Sequence, residues 1–401
     1  MDGGRMFMHR RKRILFLDHQ IFRGGGEVVV ELLATELPAD QYDVAVCGSP
    51  GSALESFCAR KGILFFQLKL DRKLADRKYA DGLRDTILSL MCMPLKLIRP
   101  ILSLCQACKI FNPDIVHVHT LKCAILLVPI ILFSKLRFNS SAFYVYHDHT
   151  LTSSIFHKII LRMFNTVICV SDSVRSKYRH SSGRRIQMIW NGISSDILNL
   201  KSKNPQVFLG LRGEAPIVVF SGRIVPWKGV HILIQAVAVL LNQGYKIHTI
   251  ILGVNAHSSD LRYENTLYKL VSDYGLQEQI SFLDFLPQDD AHSVIAGADI
   301  VVIPSVEPEP FGLAALEALA LGRVVVGTNA GGLGDILKKW GGILTEPGDI
   351  DSLVLGMERA LMVLRTQHIE ERVSKGISIC EACSSTKFVS KITNVYQSHN
   401  A

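Results

Sequence analysis

At 401 residues the chain is long enough for two domains with separate cores, and 48% hydrophobic residues exclude a disordered protein. The net charge of +8 is unevenly held: residues 1–205 carry 29 Lys+Arg against 16 Asp+Glu, and residues 206–401 carry 15 against 20. A basic first half suggests an anionic surface or substrate there, and since no nucleic-acid motif or basic-aromatic interleaving accompanies it, no nucleic-acid partner is expected.

In chain order, a basic HRRKR at 9–13 is followed by an apolar run, ILFL, of only four residues before Asp18. That is no export signal, so Arg13–Asp18 reads as a first strand and the nine cysteines as reduced thiols of a cytoplasmic protein. Gly24, Gly25 and Gly26 follow, then a helix from about Glu27 to Leu37. Strand, glycine loop and helix is the phosphate-binding arrangement of α/β proteins, although a tight turn explains three glycines almost as well. Tyr42–Cys47 and Leu64–Leu70 read as further strands.

From Asp71 to Phe111 the chain is basic and helical. Lys96, Arg99 and Lys109 among apolar residues suit a membrane surface, and a core-facing helix with a solvated basic side and a break near Pro100 fits the periodicity about as well. Ala124–Phe133 is an apolar run of ten between Lys122 and Lys135, well short of the roughly 20 residues of a membrane span, and reads as a buried helix. The pairs Cys105/Cys108 and Cys380/Cys383 lie far apart without flanking His or Gly, which argues against zinc.

Asp114–Thr120 is a strand with His117 and His119 on one face. A metal pair is one reading, and hydrogen-bonded histidines at a strand end is the better one. Ala142–Tyr146 ends in His147, Asp148 and His149, at the end of a parallel strand where ligand crevices form. Asn165–Ser171 and Ile186–Gly192 complete the first sheet.

The polar stretch Lys201–Pro216 reads as a linker between a first domain, 1–200, and a second, 217–385. Ile217–Ser221 restarts the βα alternation, followed by Gly222, Arg223, Pro226, Lys228 and Gly229 and a helix from Val230. Two cations on a glycine-bounded loop fit a diphosphate. His248–Gly253, Ile280–Leu283, Ile300–Pro304 and Val324–Gly327 supply more strands. In Pro304–Asp335, Pro310 biases Glu309 away from helical angles, and Leu313–Leu321 should be helical and carry Glu317. The N–H groups of Phe311, Gly312 and Leu313 then form an anion site between two carboxylates, which suits a ligand with both hydroxyls and phosphates. Asp349 and Asp351, the one D-x-D, look like a helix start.

Glu309, Pro310, Phe311, Gly312 and Glu317 resemble the Glu-x7-Glu signature of the retaining GT-B glycosyltransferases, the family 4-like, group 1 enzymes that include bacterial lipopolysaccharide and exopolysaccharide sugar transferases. Gly222, Arg223, Lys228 and Gly229 match that family's Gly-Arg-x4-Lys-Gly. The resemblance implies an α/β GT-B fold of two Rossmann-like doubly wound domains facing a cleft, the first for the acceptor and the second for the nucleotide-sugar, with 386–401 returning to the first domain.

It further implies a UDP- or GDP-sugar donor whose diphosphate meets Arg223, Lys228, Gly222 and the Gly25-Gly26 loop with Glu27. Glu309 would meet sugar hydroxyls, Glu317 the ribose, and His147 the reacting sugar, with Asp148 and His149 as alternatives for that place. No metal, cofactor or protein nucleophile is implied. The acceptor would be a glycan or lipid-linked glycan at an anionic membrane surface on the inner face of the plasma membrane. Val324 stands where the family commonly has proline, and Asp335 where it has Glu. A nucleotide-sugar 2-epimerase of similar fold and a non-catalytic nucleotide-sugar-binding subunit are the rival expectations.

Overall fold

The computed structural model describes residues 10–71, 83–137, 142–152, 155–179, 185–199, 215–253, 261–283 and 286–398. All of the expected linker but its last two residues lies outside these. The described chain forms two compact units: residues up to Cys169 with Lys177–Ile189 and Val389 onward make the first, and Val170–Ser176 with Trp190–Phe388 make the second. The helix Ser385–Gln397 therefore starts in the second unit and continues in the first.

The first unit is built on β1 (Lys12–Asp18), β2 (Tyr42–Gly48), β3 (Leu64–Gln67), β4 (Ile115–Val118), β5 (Phe143–Asp148), β6 (Thr166–Cys169) and β7 (Arg185–Met188). All pairs are parallel and the order is β3-β2-β1-β4-β5-β6-β7. Ile14 to Leu17 are at most 1% exposed, as expected of a central parallel strand covered on both faces. The order reverses between β1 and β4, so the crevice for a ligand opens beyond Asp18 and Val118.

One expectation fails here and another holds along one helix face. Leu83–Phe111 is one continuous helix of 29 residues that runs through Pro100. A proline removes one helical donor and crowds the preceding turn, but the helix is held from outside by Leu104 and Ala107, each 1% exposed. The apolar run 124–133 lies in the helix Leu121–Arg137, which is buried at Ala124, Leu127 and Ile131 yet leaves Leu132 and Phe133 about half exposed.

The second unit holds β8 (Ile217–Ser221), β9 (His248–Leu252), β10 (Ile280–Leu283), β11 (Ile300–Ile303), β12 (Val324–Thr328) and β13 (Ile343–Thr345) in the order β10-β9-β8-β11-β12-β13, again all parallel. Its core joins Val218, Phe220, Ile251, Val302 and Val326 of the sheet to Leu233 and Val237 of the helix Val230–Asn242. The reversal falls between β8 and β11. The two loops that leave these strands are the two that carry the sequence motifs. Asp349 caps the helix Ile350–Thr366 through the N–H of Ser352, so the D-x-D is a helix start.

Candidate functional site

In the second unit the loop after β8 and the loop after β11 pack directly on each other. Gly229, at φ +74°, passes so close to Pro304 that a Cβ would lie 1.9 Å from its carbonyl oxygen, and the N–H of Val306 donates to the carbonyl of Trp227 at 2.8 Å. This contact brings Lys228 to Glu309 across 81 positions: Nζ lies 2.7 Å from Oε1. Ser305 Oγ donates to the same oxygen. Glu309 is 6% exposed and Lys228 is partly buried, whereas Arg223 is exposed. Trp227, which the motif spacing does not single out, lies beneath both cations, with Lys228 Nζ 4.7 Å and the Arg223 guanidinium 5.6 Å from its ring centre. The residue type was the available signal, since an aromatic between two cations is a stacking platform.

Glu309 is held outside any helix, as Pro310 requires, by pairing with Gly331 and by the Gly332 N–H, which donates to its carbonyl at 2.6 Å. Gly332 is obligatory: a Cβ there would meet the Pro310 oxygen at 2.2 Å. Gly312, at φ +98°, starts the helix Leu313–Ala320. Among the described residues the N–H groups of Phe311, Gly312 and Leu313 make no hydrogen bond, so these donors are left open beside Glu309. Phe311 is buried edge-on against Trp190 at 5.8 Å. Glu317 is on that helix as expected, and carries a partner the sequence did not announce, His292 Nε2 at 3.3 Å. Asp335 accepts from both the N–H and the hydroxyl of Ser173, at 3.0 and 2.8 Å, so the shorter acid acts as a cap on the segment at 172–176.

In the first unit Gly25 and Gly26 open the helix Gly25–Glu36. A Cβ on Gly25 would meet nothing within 4 Å, which leaves room for a ligand against the helix N-terminus. Glu27 turns inward: Oε2 accepts from the N–H of Gly24 at 2.7 Å in a capping box. Burial, with Glu27 nearby, pushes the Asp18 carboxyl well above the usual carboxylate range. His19 Nδ1 and Thr120 Oγ1, 2.8 Å apart, bridge the two strands at the reversal.

Beyond them lies an array of four imidazoles. His117 and His119 share one face of β4, and His147 and His149 the same face of β5 and its continuation. His117 stacks on His119 at 4.6 Å and 19° and on His147 at 5.3 Å and 24°, while His147 and His149 are 4.5 Å apart. Tyr396 lies 2.6 Å from His117 Nδ1, and His119 Nδ1 lies 3.2 Å from His149 Nε2.

Burial first, and neighbouring imidazoles second, hold His117, His119 and His147 well below the ordinary histidine range. His149 is lowered to about 4 by burial, against the opposing pull of Asp148. Of the three candidates at the end of β5, His147 is 0% exposed and Asp148 is fully committed: Lys177 Nζ lies 2.6 Å from Oδ2, the Tyr178 hydroxyl donates to the same oxygen, and Thr150 donates twice to Oδ1. His149 alone keeps partial exposure. The ring expected to meet a ligand, His147, is thus enclosed by its neighbours, and His149 stands in front of it.

One ring nitrogen from each of His117, His119 and His147 lies within 4.8 Å of the others. A zinc ion would need them all about 2.0–2.1 Å from one point. Imidazole lone pairs lie in the ring plane, so rings stacked at 19–24° aim them side by side instead of at a common centre. As placed, His117 is stacked on both of its neighbours and the three rings are not arranged around a zinc ion.

Comparison with known proteins places both units. Residues 203–368 match the family model for glycosyl transferases group 1, and residues 23–197 match that for glycosyltransferase family 4. The solved structure of Anabaena HepE in complex with UDP and glucose superposes with a TM-score of 0.76 at 21% identity, over 97% of this chain and 100% of that one.

The chain has the GT-B fold.

An uncharacterized glycosyltransferase of Methanocaldococcus jannaschii is 34% identical over 206 residues, 49% of this chain and 50% of that protein. D-inositol 3-phosphate glycosyltransferase of Nocardia farcinica is 36% identical over 132 residues, 32% of this chain and 29% of that protein. The matches thus span half or less of the length of these curated relatives. The two matched family regions of this GT-B chain contain, respectively, the Arg223–Glu317 loops and the histidine array.

Proposed function

We propose that this GT-B protein is a glycosyltransferase that moves a sugar from a nucleoside-diphosphate donor to a glycan or lipid-linked glycan, with retention at the anomeric carbon and without a catalytic metal. The observation that carries the reading is the Lys228–Glu309–Ser305 group at the reversal of the second sheet, with Arg223 exposed beside it. Breaking the bond between anomeric carbon and phosphate leaves an oxocarbenium-like sugar and a diphosphate of growing negative charge. Stabilising that charge is the main electrostatic task.

Lys228 has three N–H donors and spends one on Glu309, which leaves two for phosphate oxygens. Arg223 adds a forked donor, and the N–H groups at 311–313 add a third cationic pole. Since Lys228 and Ser305 both donate to Oε1 of Glu309, Oε2 is the oxygen for a sugar hydroxyl. Glu317 is placed for the ribose. At the first unit's strand ends His149, instead of His147, takes the place facing substrate. HepE's complex with UDP favours a UDP-sugar.

The acceptor reading is supported by the first half's basic excess and by the helix Leu83–Phe111, where Ile98, Leu102 and Ile110 are 47–63% exposed among exposed Lys96, Arg99 and Lys109. Such a face suits an anionic membrane carrying a lipid-linked acceptor. Among the described residues no helix is long and apolar enough to cross a membrane. Retention of Arg223, Lys228 and Glu309 together favours catalysis over a non-catalytic subunit.

Donor hydrolysis measured with UDP-, GDP- and ADP-sugars tests the reading. One donor should be turned over, with unchanged rate in a chelator, and Lys228→Ala should abolish turnover while the far-UV spectrum is retained. Full activity in that variant refutes the diphosphate assignment.

A further inference from the structure

The protonation of the histidine array follows from where its hydrogen bonds go. His119 is 2% exposed, its Nδ1 lies 3.2 Å from Nε2 of His149, and its Nε2 is buried with no hydrogen-bond partner among the described residues. A neutral imidazole has one N–H and one bare nitrogen. With its proton on Nε2, His119 would bury an N–H that no acceptor meets. With the proton on Nδ1 it donates to His149 and leaves only a lone pair unfilled, and orphaned buried donors are the rarer of the two defects. Nε2 of His149 is then an acceptor, so the neutral ring of His149 carries its own proton on Nδ1.

We infer that His119 is a positioning residue that locks His149 in the Nδ1–H form, so that His149 offers the saccharide substrate a hydrogen-bond donor and not a base. Nδ1 is the ring group left for substrate because Nε2 is engaged within the fold. The acceptor atom that fits is a sugar hydroxyl oxygen. His149 is neutral near pH 7 because burial lowers it to about 4, so the choice between its two neutral forms is a real one. The array behind it supplies rigidity: His147 is 4.5 Å from the His149 ring, and His117 behind that is fixed by Tyr396 on the C-terminal helix. The substrate half of the inference rests on the glycosyltransferase reading; the lock itself does not.

The test uses the full chain labelled with 15N-histidine, with His149 assigned from the spectrum of His149→Gln. Long-range 1H–15N correlation at pH 7 should show His149 as the Nδ1–H form. His119→Asn puts an amide N–H where the imidazole Nδ1–H stood and should keep that form, whereas His119→Phe should return His149 to Nε2–H. In sugar transfer, His119→Phe should lower kcat about tenfold or more with donor KM within about twofold, since it removes a fixed donor's orientation and not donor binding, and His119→Asn should recover most of the loss.

Finding His149 as Nε2–H in the unaltered protein overturns the lock, as does equal impairment of the Asn and Phe variants. If the lock is seen but His149→Ala keeps full kcat, the substrate contact is refuted. If no donor is turned over at all, the reading of the activity fails while the spectra still decide the lock.

Discussion

Acidification should unfold the first unit well before the second. His19, His117, His119, His147 and His149 all titrate below the ordinary histidine value in the fold, His19 to about 3 through burial and Lys122 and His149 to about 4. The unfolded chain takes up these protons near pH 6.5 and the folded chain does not, so below that pH the unfolded state binds more protons and stability falls. Each such group contributes a slope of about 1.4 kcal/mol per pH unit, and five give about 7 at most.

Asp18 acts oppositely: its raised value lets the folded state take a proton first, which offsets about one histidine at the acid end. Against a total of about 5–15 kcal/mol for a domain, the first unit should be lost within about two pH units below 6.5. All three tryptophans, Trp190, Trp227 and Trp340, lie in the second unit, where burial lowers His231 and His248 among the described residues. Far-UV circular dichroism followed from pH 7.5 to 4.5 should therefore fall before tryptophan emission shifts. A urea midpoint that stays flat between pH 7.5 and 5 would refute the reasoning, because the array would then be charged or solvated in the fold.

Asp148→Asn should cost the first unit about 3–5 kcal/mol in urea-derived stability, because it leaves the 6% exposed Lys177 side chain without its counter-charge. Gly332→Ala should push the 309–312 loop off its track through the 2.2 Å approach to Pro310, with a loss of about 1–3 kcal/mol and a raised donor KM in steady-state kinetics. Co-sedimentation with vesicles containing phosphatidylserine should weaken as salt rises, and further in a triple variant of Ile98, Leu102 and Ile110 to Ser. No binding at low salt would leave the basic first half without its proposed surface.

What was legible in the sequence was what is local. Glycine and proline announce backbone geometry at their own positions, so Pro310 located Glu309 off the helix, which was expected to start at or just after Pro310 and starts at Leu313, and the Gly-Arg-x4-Lys-Gly spacing located two cations on one loop. Short continuous apolar runs marked most of the strands, and Pro100 misled because tertiary packing overrode a local rule.

Side-chain partnerships are set by which strands become neighbours, and no window of sequence holds that. Glu27 looked like a ligand residue of the glycine loop and is consumed three residues away in a cap. His147 was the expected sugar contact with Asp148 and His149 as alternatives, and the sequence could not show that Lys177 and Tyr178 engage Asp148 or that the β4 histidines pack on His147. Tyr396 reaches His117 across 279 positions. The loop groups of the second unit were therefore readable, since they sit on two loops with signatures of their own, whereas the histidine array of the first unit needed the fold, since its chemistry lies in which nitrogen meets which neighbour.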